Sequence, residues 1–221
     1  MPKELYYTPE TIAKRSRAFI NALHLRKPRP EDHFSFDRAA LLVLDMQVYF
    51  LDPYAHAFVP SAQAILPGIQ KLTGMFYANK RPVIFTRHTN NPENAGQMRR
   101  WWHDLIQPAS PLSQITADLD TSEGIIIEKS QYDAFYETHL QRLLEEKSVR
   151  QVVICGVMTH LCCETTARSA FMRGFEVFFT VDGTATYNQN YHQASLLNLA
   201  HGFATPILVQ EVLKNLSKHE T

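Results

Sequence analysis

The sequence predicts a three-layer α/β domain, in which helices cover both faces of a mostly parallel β-sheet. Short, nearly continuous apolar runs of β-forming residues recur along the chain, and helical stretches separate the later ones. Strands that alternate with helices in this way are typical of parallel sheets with two buried faces. At 221 residues the chain is long enough to form one such domain with a substantial core.

The first segment is predicted to be a helical extension that precedes the main domain. Thr8 followed by Pro9 is typical of a helix N-cap and first turn, so we expect a helix from Pro9 to about Leu25. The proline-containing stretch RKPRPEDH then interrupts this helix and leads into the main body. We therefore predict an extension over residues 1–36 and an α/β domain over residues 37–221.

Six strands are predicted in the main domain, each from a short apolar run. They are AALLVLD (39–45), RPVIFTRH (81–88), GIIIEKS (124–130), QVVICGV (151–157), EVFFTVD (176–182) and PILVQE (206–211). A helical crossover in PSAQAILPGIQKLTGMFYANK joins the first two, and helices over about 137–148, 162–173 and 189–202 separate the later strands. The long irregular stretch 89–123 is a candidate lid or substrate wall, because loops of this length in compact domains are often functional.

The charge balance and the cysteine content narrow the function and the compartment. Lys and Arg total 22 and Asp and Glu also total 22, so the formal net charge is zero and binding to nucleic acid or to an anionic membrane is not expected. The N-terminal stretch is too charged for a secretory signal, and no apolar run reaches membrane-spanning length. Three cysteines within one segment do not predict a disulfide framework, so a reducing, cytoplasmic location is favoured. The expected ligand is a small molecule or another protein.

Reactive side chains collect at the carboxyl ends of the predicted strands, where open α/β sheets bind their ligands. The side chains at or just after these ends are Asp45, Arg87, His88, Glu128, Lys129, Cys162 and Asp182. An acid, an amine and a thiol are therefore expected to converge on one rim of the sheet. Asp182 is interpreted as structural rather than catalytic.

A thiol must be activated before it attacks a carbonyl carbon, because at neutral pH it is mostly protonated. As the first residue of a helix, Cys162 would feel the positive end of the helix dipole and present its N–H group to a substrate. The charge of Lys129 would favour the thiolate, and Asp45 could accept the thiol proton and later return it to a leaving amine. Backbone N–H groups between Gly156 and Cys162 could bind the oxyanion of a tetrahedral intermediate. These parts suffice for acyl transfer to water.

Each of these residues also has a purely structural interpretation. Cysteine is among the most buried residue types, so we predict packing roles for Cys155, in mid-strand, and for Cys163, about 100° around the helix from Cys162. Asp45 could cap a loop, and Lys129 could be a surface amine whose stem lies along apolar surface. Neither of the last two residues alone indicates a catalytic site.

Three segments of the chain together resemble one known superfamily. LLVLDMQVYF, IIIEKSQYDAF and VVICGVMTHLCCETTARSAF, in this order and at these spacings, resemble the signature segments of the isochorismatase-like superfamily. Its members include nicotinamidases, N-carbamoylsarcosine amidases, ureidoacrylate amidohydrolases and isochorismatases, and the resemblance extends from about residue 37 to residue 213. It implies a six-stranded parallel sheet in the order 3-2-1-4-5-6, with the site at the switch point between strands one and four. It also implies an Asp-Lys-Cys triad on Asp45, Lys129 and Cys162, which agrees with the choice made from their chemistry.

The resemblance has further implications around the nucleophile. It implies a non-proline cis peptide between Val157 and Met158, and an oxyanion hole formed by the amides of Met158 and Cys162. Isochorismatases proper cleave a vinyl ether by acid catalysis and typically lack the cysteine, whereas this chain has it. A thiol at that position favours hydrolysis of an amide, ureido or carbamoyl C–N bond through a thioester intermediate.

Nicotinamidases of this superfamily carry a metal site, with an Asp-x-His segment after strand two. The corresponding stretch here, FTRHTNNPEN, lacks that spacing, and His88 alone is a poor ligand set. We therefore expect neither a metal nor a cofactor, and we disfavour nicotinamide as the substrate.

The substrate pocket is predicted from residues that flank the triad or lie within the matched segments. The candidates are Gln47, Phe50, Arg87, His88, Arg100, Trp101, Tyr132, Phe135 and His160. Arginine beside tryptophan, as in RRWW, suits a planar or carboxylate-bearing substrate. The same pattern also fits a helix whose tryptophans pack on the core while its arginines face solvent.

The predicted function is hydrolysis of a linear C–N bond, and three alternatives stay open. In the first, Asp45 protonates a vinyl ether of the isochorismate type and Cys162 is a bystander. In the second, the protein binds a ligand and has lost turnover. The third, redox sensing by Cys162 and Cys163, ranks low because adjacent cysteines form strained disulfides at best. A homo-oligomer, either a dimer or a tetramer, is expected from the resemblance.

Overall fold

The computed structural model describes residues 2–23 and 33–214, and its centre is a six-stranded parallel sheet. The strands are β1 (Ala39–Leu44), β2 (Val83–His88), β3 (Ile125–Lys129), β4 (Gln151–Val157), β5 (Glu176–Ala185) and β6 (Thr205–Ile207). Their spatial order is β3-β2-β1-β4-β5-β6, and every neighbouring pair is parallel. The predicted class and the strand order implied by the resemblance are both confirmed.

Helices connect the strands and cover the sheet. They are α1 (Ile12–Ala22), α2 (Val48–Leu51), α3 (Ala62–Ala78), α4 (Gln97–Trp102), α5 (Leu140–Glu146), α6 (Glu164–Met172), α7 (Gln189–Gly202) and α8 (Val209–Lys214). A π-helical turn over Thr159–Cys163 lies between β4 and α6. No helix within the described residues has the length and hydropathy needed to cross a bilayer.

The order of the strands explains why helices lie on both faces. The chain moves from β1 to β2 in one direction along the sheet and from β4 through β5 to β6 in the other. Because parallel crossovers are right-handed, α3 lies on one face, and α6 and α7 lie on the opposite face. In agreement, α3 contacts β1, β4, β5 and α8, whereas α6 contacts β5 and α7.

β1 lies in the middle of the core. All six of its residues are fully buried, as expected for an apolar strand that has a neighbour on each side and helices on both faces. β1 and β4 are adjacent, but the connections that follow them run in opposite directions. Such a switch point opens a crevice beyond the carboxyl ends of the two strands, and this crevice is where the candidate site lies.

The last predicted strand is only partly correct. The run PILVQE (206–211) was expected to be one strand, but β6 ends at Ile207 and α8 begins at Val209. Side-chain caps stop the strand, because Val209 N–H donates to Asp182 Oδ1 at 2.7 Å and Leu208 N–H donates to Glu211 Oε2 at 2.9 Å. Asp182 therefore caps the start of α8, a structural role.

The N-terminal helix begins later than predicted. The N–H groups of Thr11 and Ile12 both donate to the carbonyl of Thr8, so residues 9–11 form a turn and the helix starts at Ile12. Its predicted end near Leu25 lies outside the described residues. Residues 2–8 form an extended arm, and Tyr6 and Tyr7 of this arm belong to the same buried core as β1.

Candidate active site

Asp45 lies immediately after β1 in a left-handed backbone conformation, with φ of 51°. Aspartate adopts this conformation more readily than most residues, and such backbones are concentrated at functional sites. Thr86 of β2 holds it in place: Thr86 Oγ1 accepts from the Asp45 N–H at 3.0 Å and donates to Asp45 Oδ1 at 2.6 Å. The sequence analysis did not select Thr86, although it is a hydroxyl residue within a buried apolar strand.

Lys129, the last residue of β3, reaches Asp45 across the end of β2. Its Nζ lies 2.8 Å from Asp45 Oδ2, and both side chains are fully buried. The ammonium also donates to the carbonyl oxygens of Gln131 at 2.9 Å and Tyr132 at 3.3 Å, and it lies 3.4 Å from Cys162 Sγ. The structure thus brings together the acid, the amine and the thiol that the sequence analysis selected.

Burial and the neighbouring charges together set the protonation states of Asp45, Lys129 and Cys162. Burial by itself would raise the pKa of Asp45, but the positive charge of Lys129 brings this pKa below its usual value. Burial would lower the pKa of Lys129, yet the charge of Asp45 raises it. For Cys162, burial and then the charge of Asp45 raise the pKa far above the usual value, and Lys129 offsets only part of this. At neutral pH the site therefore holds an ion pair beside a protonated thiol, not the resting thiolate that Lys129 was expected to favour.

Cys162 lies in the π-helical turn over Thr159–Cys163, and α6 begins only at Glu164. Cys162 therefore precedes α6. It had been predicted to be the first residue of that helix. The peptide bond between Val157 and Met158 is cis, as the resemblance implies. Helical turns of the π type are frequent at functional sites, and this one presents the Cys162 sulfur to a cavity.

The other two cysteines lie in the core. Cys155 and Cys163 are fully buried, and the Cys155 thiol donates to the carbonyl of Leu42 at 3.6 Å. Both packing predictions therefore agree with the placement of these residues. None of the three cysteines forms a disulfide.

Gly156 allows β4 to approach β1 closely beside the site. Its φ is 115°, and a Cβ at this position would collide with the backbone of Leu44, the residue before Asp45. Only glycine combines this backbone conformation with such a close approach. The π-helical turn that contains Cys162 is thereby brought close to Asp45.

A narrow cavity of about 60 Å³ adjoins Cys162. Its apolar and aromatic walls include Tyr49, Phe50, Trp102, Ile106, Leu161 and Tyr187. Its polar lining residues are His56, His88, Asn90, Tyr132 and Asp104, and Asp104 accepts a hydrogen bond from Tyr49 Oη at 2.7 Å. Among the described residues, those that line the cavity include no arginine or lysine.

A wider space, which we call the outer vestibule, adjoins this cavity. It measures about 740 Å³, shares the walls formed by Trp102, Tyr132 and Tyr187 with the cavity, and is also lined by Lys3, Trp101 and His160. Trp102 Nε1 donates to Tyr132 Oη at 2.6 Å, so the two shared walls are linked at the boundary.

Five of the predicted substrate-binding residues line one of these two spaces. Phe50, His88 and Tyr132 line the cavity, whereas Trp101 and His160 line the outer vestibule. Trp101 is 77% exposed, and His160 stacks on the ring of Tyr191. Burial lowers the pKa of His160 to about 4, so its ring is neutral at pH 7.

The other four predicted substrate-binding residues line neither space. Gln47 is fully buried and bridges backbone groups of His88 and Ser113, while Phe135 stacks on Phe175 in the core. Arg100 is exposed on α4.

The fourth, Arg87, pairs with Glu128 at 2.7 Å and also donates to the carbonyl of Pro108 at 2.6 Å. Its guanidinium also donates to the carbonyl and the hydroxyl of Ser113, so its hydrogen bonds go to Glu128 and to the loop at 108–113. The predicted arginine contacts to a substrate are therefore not supported by the lining of either space.

The segment 89–123, expected to be a lid or substrate wall, contributes Asn90, Met98, Trp102, Asp104 and Ile106 to the cavity. Of these, only Trp102 was singled out, as part of the RRWW pattern. His56 and Tyr187 also line the cavity, and neither was selected as a substrate-binding residue from the sequence. Their positions depend on how distant loops meet, which a local pattern cannot indicate.

The side chains present do not fit a metal site. No group of three or more His, Cys, Asp or Glu residues suitable for a metal is found in residues 2–23 and 33–214. At the place where nicotinamidases carry their Asp-x-His segment, His88 Nε2 instead forms a 2.8 Å hydrogen bond with Asn90 Oδ1. We derive no catalytic step through a metal.

A family model describing the isochorismatase domain matches residues 39–211, which include every residue of the Asp45–Lys129–Cys162 cluster. The chain belongs to the isochorismatase family. Its fold and its three matched segments are those expected of a hydrolase of this family.

Two curated relatives and one solved structure are similar to the chain. The chain is 42% identical over 171 residues to Nicotinamidase 3 of Arabidopsis thaliana, covering 75% of this chain and 82% of that protein. It is 30% identical over 185 residues to Enterobactin synthase component B of Escherichia coli K12, covering 81% of this chain and 64% of that protein. A solved cysteine hydrolase from Pseudomonas syringae pv. phaseolicola superimposes with a TM-score of 0.81 at 26% identity, covering 88% of this chain and 97% of that one.

Proposed function

We propose that this isochorismatase-family hydrolase is a cysteine amidohydrolase that cleaves the C–N bond of a small, uncharged carboxamide or ureide. The observation that carries the proposal is the buried cluster in which Lys129 Nζ lies 2.8 Å from Asp45 Oδ2 and 3.4 Å from Cys162 Sγ, beside a narrow cavity. A base, a fixed positive charge and a nucleophile at this separation are the parts that acyl transfer needs.

In the first half-reaction, Cys162 Sγ attacks the carbonyl carbon while its proton passes to the Asp45 carboxylate. Amides of the nucleophile turn, with Met158 and Cys162 as candidates, would bind the resulting oxyanion. The C–N bond then breaks, Asp45 gives the proton to the leaving nitrogen, and ammonia departs from a thioester on Cys162.

In the second half-reaction, water adds to the thioester carbonyl and Asp45 takes a proton from that water. The C–S bond then breaks, the carboxylic acid is released, and the proton on Asp45 restores the thiol. The sum is one amide and one water converted to one acid and one ammonia. Lys129 keeps its proton throughout and stabilises the negative charge as it moves between the thiol, the oxyanion and Asp45.

The cavity lining supports an uncharged substrate. A carboxylate-bearing substrate of the isochorismate type would require a cation or several N–H donors to balance its charge. Among the described residues, the cavity wall provides aromatic rings and one acid, Asp104, but no arginine or lysine. Of the two arginines predicted to bind the substrate, Arg87 is already paired with Glu128 and Arg100 is exposed on α4.

His88 adds a preference for a substrate that donates an N–H group. Asn90 Nδ2 donates to the carbonyl of Ser130 at 2.8 Å, so Asn90 Oδ1 accepts from His88 Nε2. Burial, followed by the charge of Lys129, lowers the pKa of His88 to about 4, so the ring is neutral and Nδ1 is an acceptor. Within the part of the chain that the structure describes, the backbone of Gln131 lies near this ring, but the buried Nδ1 makes no well-formed hydrogen bond. A carboxamide or ureido N–H would satisfy it, whereas a vinyl ether oxygen would not.

Nicotinamide belongs among the candidate substrates. The missing Asp-x-His segment argued against it, but a metal is only one means of binding a heteroaromatic ring. Nicotinamidase 3 is 42% identical to this chain, and the cavity walls include the aromatic rings of Phe50, Trp102 and Tyr187. A planar aromatic amide fits a narrow cavity with such walls.

The test is a hydrolysis panel with purified protein. The substrates are nicotinamide, a ureido acid, an N-carbamoyl amino acid and isochorismate, and the variants are Cys162→Ala and the matched control Cys163→Ala. We expect release of ammonia from the uncharged amide in preference to the carboxylate-bearing ureido and N-carbamoyl acids, lost in Cys162→Ala and retained in Cys163→Ala, together with an acyl-enzyme mass on Cys162 after rapid quenching.

Two results would overturn the proposal. Turnover of isochorismate that survives Cys162→Ala would indicate vinyl-ether hydrolysis with Asp45 as the acid. Binding of an amide without any turnover by the wild type would indicate a catalytically silent binding protein.

A further inference from the structure

The N-terminal arm, residues 2–8, is joined to the nucleophile turn by a buried chain of hydrogen bonds. The Tyr7 hydroxyl lies 3.1 Å from the carbonyl oxygen of Val181 and 3.3 Å from Nε2 of His192. His192 Nδ1 in turn lies 3.0 Å from the hydroxyl of Thr159, the first residue of the π-helical turn. Tyr7, Thr159 and His192 are all fully buried.

The direction of each hydrogen bond in this chain can be assigned. A backbone carbonyl only accepts, so the Tyr7 hydroxyl donates its proton to Val181 and accepts from His192 Nε2–H. Burial lowers the pKa of His192 to about 3, so the ring is neutral and Nδ1 carries a lone pair. The Thr159 hydroxyl must therefore donate to Nδ1. Every polar group in the chain has a partner of the correct kind, so the orientation of the Thr159 side chain is well determined.

A second contact from the same arm reaches the next residue of the turn. The Tyr6 hydroxyl accepts the backbone N–H of Thr186 at 3.0 Å, and the Thr186 hydroxyl lies 2.6 Å from Nδ1 of His160. Thr159 and His160 are thus both held, through one intermediate each, by consecutive tyrosines of the arm. Ser61 Oγ accepts the backbone N–H groups of Tyr6 and Tyr7, both at 3.0 Å, which holds the two tyrosines in register with the body of the domain.

We propose that Tyr7, His192 and Thr159 are positioning residues, through which the N-terminal arm sets the position of Cys162 and of the turn amides beside it. The inference rests on the proposed role of Cys162 as nucleophile. Cys162 is three residues after Thr159 within the same turn, and the Met158 carbonyl accepts the N–H groups of Leu161 and Cys163 at 3.1 and 3.2 Å. A turn that shifts at Thr159 would move both the sulfur and the amides expected to bind the oxyanion. Displacement of a reacting group by about 1 Å can cost up to about a hundredfold in rate.

The test compares four variants of the full-length chain. Thr159→Val removes the donor to His192 at nearly constant volume, and Thr159→Ser retains it. Tyr7→Phe removes the Tyr7 hydroxyl, which links His192 to the N-terminal arm, and keeps the ring. Thr73→Val is the matched control, because Thr73 is also buried and its hydroxyl donates at 2.9 Å to Ile69 within α3, outside the lining of the cavity and vestibule.

Four quantities are measured for each variant. They are the melting temperature, kcat and KM on an amide that the wild type hydrolyses, and the rate at which iodoacetamide alkylates Cys162, followed by peptide mass spectrometry. We expect Thr159→Val and Tyr7→Phe to lower kcat and the alkylation rate by about tenfold with little change in KM. Thr159→Ser should recover most of that loss, and Thr73→Val should lower the melting temperature alone.

The proposal is overturned if Thr159→Val and Tyr7→Phe lower the melting temperature as Thr73→Val does but retain the wild-type kcat and alkylation rate. A change in KM alone also overturns it. If no amide in the panel is hydrolysed, the proposed function fails separately, and the alkylation rate still decides whether the arm positions Cys162. If Thr159→Val does not fold, Tyr7→Phe provides the same comparison.

Discussion

Replacing Lys129 by methionine would measure how much the fold depends on its buried ion pair. The Lys129 ammonium and the Asp45 carboxylate are 2.8 Å apart, and both side chains are fully buried. Methionine preserves most of the apolar length of lysine but leaves the carboxylate without its counter-charge. Breaking a buried pair in this way costs about 3–5 kcal/mol. We expect the free energy of unfolding at pH 8 to fall by about that amount.

The loss should become smaller at lower pH, because the unpaired carboxyl group can take up a proton. In the variant the pKa of Asp45 in the folded state lies above its unfolded value, since burial raises this pKa and Lys129 no longer lowers it. A group whose folded pKa is raised stabilises the fold at low pH and loses that contribution as the pH rises. The difference from wild type should therefore change by up to about 1.4 kcal/mol per pH unit between pH 5 and pH 8.

Equilibrium unfolding in urea at several pH values between 5 and 8 provides the measurement. Three variants are compared with the wild type: Lys129→Met, the double variant Lys129→Met/Asp45→Asn, and Lys71→Met as an exposed control on α3. The double variant should recover more than half of the loss because it leaves no buried charge, and the control should stay within about 0.5 kcal/mol of wild type. A Lys129→Met protein within about 1 kcal/mol of wild type at pH 8 would refute the electrostatic reasoning, and so would a loss at pH 5 as large as at pH 8.

Three further predictions test other parts of the structure. The free energy of unfolding should fall as the pH drops from 6.5 towards 4, by up to about 1.4 kcal/mol per pH unit for each of His88 and His192. Burial holds their pKa values at about 4 and about 3, so only the unfolded chain takes up protons in this range. A urea midpoint that does not change over this range would contradict the prediction. Gly156→Ala should lower the free energy of unfolding by more than about 2 kcal/mol, because the added Cβ would collide with the β1 backbone. Gly74→Ala should be neutral or stabilising, because a Cβ there meets nothing within 4 Å. Equal melting temperatures of the two variants would argue against the close approach of β4 to β1. Arg87→Met should lower the melting temperature through its lost pair and leave KM for an uncharged amide unchanged; a large rise in KM would place the arginine at the substrate.

The sequence predicts the parts of the site that depend on single strands. Asp45 and Lys129 are found from sequence because each stands at the carboxyl end of an apolar run, and parallel strands bring those ends to one edge of the sheet. The order of the strands follows from the resemblance, since apolar runs alone do not indicate which strands are neighbours. The α/β class and the parallel arrangement follow from the runs themselves.

Residues that depend on distant contacts are not predicted in the same way. Thr86 supports Asp45 only because β2 lies beside β1, and Asp104 reaches the cavity only because the segment 89–123 folds over it. The surroundings of the arginines also depend on distant contacts, since nothing local indicates that Arg87 would meet Glu128 on the neighbouring strand. The run PILVQE has strand-like composition, yet the capping carboxylate of Asp182, which is remote in sequence, turns its second half into a helix.

The buried site also explains why the proposed mechanism has a lysine that transfers no proton beside Cys162. At rest Asp45 and Lys129 neutralise each other and the Cys162 thiol is uncharged, consistent with the raised pKa of that thiol. In the proposed reaction the negative charge moves from Asp45 to the oxyanion as the proton moves from sulfur to Asp45, and it returns when the intermediate collapses. The site therefore carries no net charge at any step, so burial never leaves a charge unpaired. Without Lys129 each step would place one uncompensated negative charge in the core, and this cost would be present in the folded protein even before a substrate binds.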